Sequence, residues 1–154
     1  MSLLQKVFEG EGSKCRSHFM VQPFVSTVLT EGEFSVFLMR GVVSHATQKQ
    51  PRVGDFRVQE EFGGQQILRD YHTECPHQLR EAVDHLLSSF PQARDLLCAR
   101  VDMLRDPFTE GPRYLLAEFE AIEPSMYFEY APGSADRFAA AFDCAMREHA
   151  QQQR

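Results

Sequence analysis

The sequence predicts an α+β fold, a mostly antiparallel sheet covered by helices, and three observations carry that prediction. Several short runs are dense in β-branched and aromatic residues, the types that suit a pleated, half-buried surface. Two stretches repeat apolar residues every three to four positions, the period of a helix packed along one side. One pair of strand-like runs meets at Arg40-Gly41, a hairpin signature.

Taken in order, "LLQKVF" (3–8) reads as a short amphipathic helix before a Gly/Ser/Lys loop, with Met-Ser-Leu as a start added for expression. "HFMVQPFV" (18–25) is a β-prone run broken by Pro23, a strand leading into a hinge. "GEFSVFLMRG" and "VVSHAT" form the hairpin, turning near Gly41. After the polar loop "QKQPRVG", residues 54–60 are expected as a further strand and 64–75 as irregular. "CPHQLREAVDHLLSSF" (75–90) is a helix with Pro76 in its first turn and Leu79, Val83, Leu86, Leu87 and Phe90 on one side. "DLLCARVDML" (95–104) and "RYLLAEFEAI" (113–122) are strands around a turn at Asp106-Pro107. A last helix runs from Ala135 to His149, with Phe138, Ala141, Phe142 and Ala145 on one face, and the "QQQR" end frays.

At 154 residues the chain suits one domain with a real core, and 43% hydrophobic against 25% charged residues is an ordinary globular balance. A formal charge of −6 argues against nucleic acid as a partner. No apolar run approaches a membrane span, so no membrane partner is expected. Three lysines stand against 13 arginines, a bias that fits planar recognition of phosphate or carboxylate but equally fits genome composition. Cys15, Cys75, Cys98 and Cys144 form no CxxC pair and, with six scattered histidines, no zinc spacing. Free thiols point to a reducing compartment, the cytoplasm.

Strand parity locates the chemistry. Glu118 and Glu120 share one face of their strand, and Arg100 and Asp102 share one face of theirs. Pairing the two strands brings Asp102, Glu118 and Glu120 together, where carboxylates repel unless a hard cation such as Mg²⁺ joins them. A solvated strand face explains the same spacing. In "GDFRVQEEFGG" (54–64), Asp55, Arg57 and Gln59 share a face opposite Phe56 and Val58, which leaves Arg57 to meet a phosphate with its fork of donors. Gly63-Gly64 either offers backbone N–H groups to an anion or makes a plain turn. Lys49 stands just before Pro51, and on its own reads as a surface lysine. His45 is a proton carrier or, more simply, a strand histidine with a structural hydrogen bond. Tyr127 and Tyr130 either shape a pocket or close the core.

At these residues the sequence resembles the C-terminal part of the ATP-grasp superfamily. The similar branch holds bacterial glutathione synthetases, ribosomal-protein glutamate ligases and cycloserine-pathway ligases. That branch has a G-D-x-R-x-N strand followed by a double glycine; here it is Gly54, Asp55, Arg57 and Gln59, then Gly63-Gly64. "KQP" at Lys49, the V-D strand "ARVDMLRD" with Asp102, and Glu118-Phe119-Glu120 before Pro124 follow the family's order. "MVQPFV" is similar to the hinge between the two ATP-grasp lobes. The resemblance runs from about residue 18 to 143. It implies that Asp102, Glu118 and Glu120 hold Mg²⁺ between ATP phosphates, and that Arg57 and Lys49 stabilise the γ-phosphoryl group or an acylphosphate. It also implies that Gln22, Phe24 and Val25 meet the adenine and Glu33 the ribose. Two positions depart from the pattern: Glu120 and Gln59 stand where the family has asparagine.

The expected division is residues 1–17 as a remnant of the small ATP-grasp lobe or an added start, 18–149 as the C-terminal lobe, and 150–154 as a tail. No lysine-proline strand or glycine-rich loop precedes the hinge, so the lobe is expected to be cut from a longer protein or reduced in evolution. The implied function is the C-terminal part of an ATP-dependent carboxylate–amine ligase, acting through an acylphosphate on a small acid and a nucleophilic co-substrate. The isolated chain is expected to be inactive, and a homo-oligomer is left open. The rival class is a non-catalytic nucleotide-sensing or oligomerisation module.

Overall fold

The computed structural model of the protein describes residues 21–153. Five strands form one antiparallel sheet: β1 (Glu33–Met39), β2 (Val42–Gln50), β3 (Gln65–Arg69), β4 (Cys98–Arg105) and β5 (Tyr114–Glu120), in the order β3-β2-β1-β4-β5. Two α-helices accompany it, α1 (His77–Ser89) and α2 (Ser134–Gln152). The α+β class predicted from sequence is the one observed.

Alternation on the central strands divides the molecule. Phe34, Val36 and Leu38 of β1 and Ala99, Val101 and Met103 of β4 point to one face, where Leu79, Val83 and Leu87 of α1 close on them. Burying each large apolar side chain contributes about 1.5–3 kcal/mol, so this packing holds α1 in place more than its own propensity does. On the other face Phe37 and Met39 pack with Met126, Phe128 and Phe138, the last from α2. Further along that face, beyond α2, Glu33, Arg100 and Asp102 are left to line an open cleft. The sheet is therefore a core on one side, and half core, half site on the other.

The hairpin turns at Arg40 and Gly41, with φ of 51° and 72°, so both central residues take the left-handed conformation that matches strand twist. Met39 pairs with Val42 across it, and a bulge at Phe37/Leu38 sets Ser44 out of register.

Several expectations are corrected. Residues 3–8 and the first part of the 18–25 run lie outside the described residues, and residues 21–25 form no strand but lead into a 3₁₀ turn at Ser26–Leu29. Residues 54–60 are an irregular loop rather than a strand. Asp55 Oδ1 accepts the backbone N–H groups of Phe56 and Arg57, a local alternative to ladder pairing. The open edge of β2 is taken instead by residues 65–69, which had read as irregular. Their polar residues pay no penalty on an edge: Thr47 donates to Gln66, and Arg69 to Gln48. Phe56 is 58% exposed while Val58 is buried, so only half of the expected apolar pair enters the core. Phe142 is 49% exposed rather than packed, and α2 runs through Gln152, past the expected end at His149.

Candidate functional site

Register builds the site. Glu33 of β1 lies opposite Lys49 of β2, Ser35 lies opposite Asp102 of β4, and Asp102 lies opposite Glu118 of β5. Arg100 lies opposite Glu120. Six functional side chains and Ser35 thus face one side of four adjacent strands, as alternation requires. Gly32 sets the end of this arrangement: a Cβ there would stand 2.1 Å from the carbonyl oxygen of Lys49, so only glycine lets the chain pass this close to β2.

The charges are closely interlocked. Lys49 Nζ donates to Glu33 Oε1 at 2.9 Å and to Asp102 Oδ2 at 3.2 Å. Arg100 donates to Asp102 through Nε and Nη2, the latter at 2.9 Å from Oδ2, and through Nη2 to Glu120 Oε1 at 2.6 Å. Ser35 Oγ donates to Asp102 Oδ1 at 2.6 Å. Lys49, Arg100 and Asp102 are all buried. Burial pushes the Glu33 carboxyl above its usual value although Lys49 opposes the shift. The Glu118 carboxyl is also raised, first by burial and then by the nearby negative charges of Glu120 and Asp102.

Two clefts share a wall. A polar cleft of ≈ 430 Å³ is lined by Glu33, Lys49, Gln59, Glu61, Arg100, Asp102, Glu118, Glu120, Ser125 and Tyr127. Beside it a largely apolar cleft of ≈ 340 Å³ is lined by Gln22, Phe24, Val25, Glu33, Phe56, Arg57, Val58, Gln59 and neighbours. Glu33 and Gln59 border both. The structure therefore brings Lys49, Asp102, Glu118 and Glu120 into one cleft, and Gln22, Phe24, Val25 and Arg57 into the other. Arg57 is not among the carboxylates. Its Nε and Nη2 fork onto Asp55, at 3.0 and 2.7 Å, and its guanidinium lies 3.9 Å from the Phe62 ring centre.

A strap after β5 overhangs the polar cleft. Tyr127 holds a left-handed backbone (φ 46°, ψ 46°), unusual for an aromatic residue, and its ring stands 5.8 Å from Lys49 Nζ and 6.0 Å from the Arg100 guanidinium. His45 Nε2–H donates to the Met126 carbonyl at 2.9 Å, while its Nδ1 accepts from Ser44. Tyr130 donates to Glu60 and so ties the strap to the 55–64 loop. In that loop a Cβ on Gly64 would meet the Val58 carbonyl oxygen at 2.1 Å, so the second glycine serves a close backbone crossing.

Among the described residues no three His, Cys, Asp or Glu side chains converge as a preformed metal centre. Glu118 and Glu120 nevertheless suit a hard cation, Glu118 as it stands and Glu120 once Arg100 Nη2 leaves its Oε1. They are neighbouring oxygen donors, Glu118 is 57% exposed to the cleft, and their mutual repulsion favours a positive charge between them. Both oxygens of Asp102 are already engaged by Arg100, Lys49 and Ser35, so Asp102 fits only once Arg100 withdraws. Arg100 is the residue that sequence reasoning left out. Its shared face with Asp102 was readable, but parity says nothing about which partner a side chain takes.

The comparisons agree with this architecture. The cycloserine biosynthesis protein DcsG of Streptomyces lavendulae is 30% identical over 135 residues, 81% of this chain and 41% of its own length. The crystal structure of D-cycloserine synthetase DcsG superposes with a TM-score of 0.62 at 28% identity, over 82% of this chain and 41% of that one. The chain belongs to the ATP-grasp superfamily. It spans about two fifths of the length of these relatives. A D-alanine–D-alanine ligase from Bacillus anthracis, complexed with ATP, aligns at 20% identity with a TM-score of 0.43 over 75% of this chain and 36% of its own, too distant to carry weight. No family model matches the chain. Among the described residues of this ATP-grasp lobe, no helix is long and apolar enough to cross a membrane.

Proposed function

We propose that this ATP-grasp chain is the C-terminal, nucleotide-binding part of an ATP-dependent carboxylate–amine ligase. The supporting observation is the pair of clefts joined at Glu33 and Gln59. The apolar one, walled by Gln22, Phe24 and Val25, suits an adenine, and Glu33 stands where a ribose would lead into the polar one. The polar cleft offers Lys49 to the phosphates and Glu118, Glu120 and Asp102 to Mg²⁺, which when bound neutralises phosphate charge.

In this reading the γ-phosphoryl group passes from ATP to a carboxylate oxygen of a small acid, leaving ADP. An amine or similar nucleophile then attacks the carbonyl carbon and expels phosphate. Lys49, fixed by Glu33 and Asp102, holds its positive charge where negative charge gathers on the moving phosphoryl oxygens. Arg57 spends Nε and Nη2 on Asp55, which leaves Nη1 for a phosphate at the junction of the clefts. The strap carrying Tyr127 screens the polar cleft from water. The reaction runs in the cytoplasm on small molecules, without nucleic acid or membrane.

A second reading, a non-catalytic nucleotide-sensing module, is favoured by the full engagement of Asp102 within the protein. Calorimetric titration with ATP, with and without Mg²⁺, separates the two when combined with turnover of the full-length protein. Glu118→Gln should weaken Mg-dependent binding about tenfold or more and abolish turnover, since it removes a charged cation donor. Equal binding and turnover in this variant would remove the metal assignment, and tight binding without turnover would favour the sensing module.

A further inference from the structure

One nitrogen stands near every carboxylate assigned to the cation. Arg100 Nη2 lies 2.9 Å from Asp102 Oδ2, 2.6 Å from Glu120 Oε1 and 3.6 Å from Glu118 Oε2. We infer that Arg100 is a built-in counter-cation of this site: it holds Asp102 and Glu120 in the nucleotide-free protein and must release them before they can bind a divalent cation. The inference rests on the proposed function for the identity of the site, and goes beyond it in assigning a competitor.

Two facts make the competition unavoidable. Asp102 accepts five hydrogen bonds on its two oxygens: from Ser35 and Arg100 on Oδ1, and from Arg100 twice and Lys49 on Oδ2. No oxygen remains for Mg²⁺, which demands oxygens at about 2.0–2.1 Å in near-octahedral geometry. A guanidinium and a small dication cannot share those oxygens, because both positive charges would then sit within van der Waals contact. The like-charge repulsion that a bound metal would relieve is already relieved, in its absence, by Arg100.

The side chain also has somewhere to go. Its Nη1 already donates to the Ser125 carbonyl at 3.3 Å, and the Tyr127 ring lies 6.0 Å from its guanidinium carbon. Swinging toward the strap would keep that hydrogen bond and strengthen the contact with the ring face. Metal entry and the seating of Arg100 under Tyr127 are therefore one event. The nucleotide-free protein would bind a lone divalent cation poorly, and the phosphates of ATP would supply the extra affinity that displaces the guanidinium.

Mn²⁺ binding followed by electron paramagnetic resonance, without nucleotide and then with ATP, tests this on the whole protein. Arg100→Gln should bind Mn²⁺ alone about tenfold or more tightly than wild type, the effect of removing one unit charge at close range. Arg40→Gln makes the same charge change on the distant hairpin turn and should match wild type. Mn²⁺ affinity of Arg100→Gln no higher than wild type, with wild type binding Mn²⁺ normally beside ATP, would overturn the inference and leave the ligase reading standing. Tightening in Arg100→Gln with no ATP-dependent binding in either protein would keep the inference and overturn the ligase reading. The Arg100 Nε–H signal in nuclear magnetic resonance gives a second test on unmutated protein. It should be protected from exchange in the free state and lose that protection with Mg²⁺ and a non-hydrolysable ATP analogue; unchanged protection while metal binds would overturn the proposal.

Discussion

Arg57 and Arg100 each fork onto an aspartate two residues away, Asp55 before the first and Asp102 after the second, and share almost nothing else. The Arg57 side chain is 44% exposed on an irregular loop, whereas that of Arg100 is 7% exposed on a central strand. On the loop, Asp55 also accepts two backbone N–H groups, so the pair shapes its own segment. These bonds from Arg57 and the backbone hold the Asp55 carboxyl far below the usual carboxylate range. On the strand, backbone shape is already fixed by the ladder, and the pair instead decides which charges stay available. The same bond is local structure in one place and site chemistry in the other.

Breaking the buried pair should have the largest effect on stability. Asp102→Asn leaves Arg100 and Lys49 buried with one charged partner fewer, and removing one member of a buried ion pair is costly. Glu33 and Glu120 remain to share the load, so a loss of roughly 2 kcal/mol is expected, below the usual cost of such a removal. Urea unfolding of wild type and variant measures it. A change near zero would mean that the pair costs as much in lost hydration as it returns, and would erase the contrast with the loop.

What the sequence revealed follows the same divide. Strand parity placed Asp102, Glu118 and Glu120 on one surface, because alternation is a property of the backbone and survives ignorance of partners. Lys49, a surface lysine by its own context, was singled out only by the family resemblance. The hairpin at Arg40-Gly41 was legible from its turn residues. Residues 54–60 were misread for a physical reason: "DFRVQ" alternates like a strand, but Asp55 satisfies the next two amides itself. Residues 65–69 were missed because an edge strand needs no apolar pattern, only an open neighbour, and β2 supplied it. Side-chain competition for Asp102 was beyond the reach of any periodicity.

His45 sharpens the comparison from a third side, as a buried group held neutral instead of paired. Burial lowers its pKa below the ordinary 6.5, with Arg137 adding to the shift and the bond to Met126 opposing it. The unfolded chain therefore binds a proton near 6.5 that the folded protein resists. Its contribution to stability is complete above that pH and fades as pH falls toward the lowered folded value. Replacing it in His45→Gln should cost about 1 kcal/mol above pH 7, the worth of a hydrogen bond and some packing on Phe37. The gap should narrow as pH falls below 6.5, because only wild type then loses stability through this group. Urea midpoints at three pH values across that range report it, and parallel curves would mean that His45 titrates alike folded and unfolded.

The smallest stability effect is expected at Arg57, where the comparison is most exposed to failure. An ion pair in solvent gains little, since water screens the attraction and two long side chains must be held still. Arg57→Gln should leave the urea midpoint inseparable from wild type. If Nη1 meets a phosphate, Mg-dependent ATP affinity should nevertheless fall about tenfold, as expected for loss of one charge-assisted hydrogen bond. The two readouts answer different questions. A midpoint shift as large as that of Asp102→Asn would make the loop pair as structural as the buried one. An unchanged ATP affinity would leave Arg57 as the brace of its own loop, with Lys49 the cation that meets the phosphates.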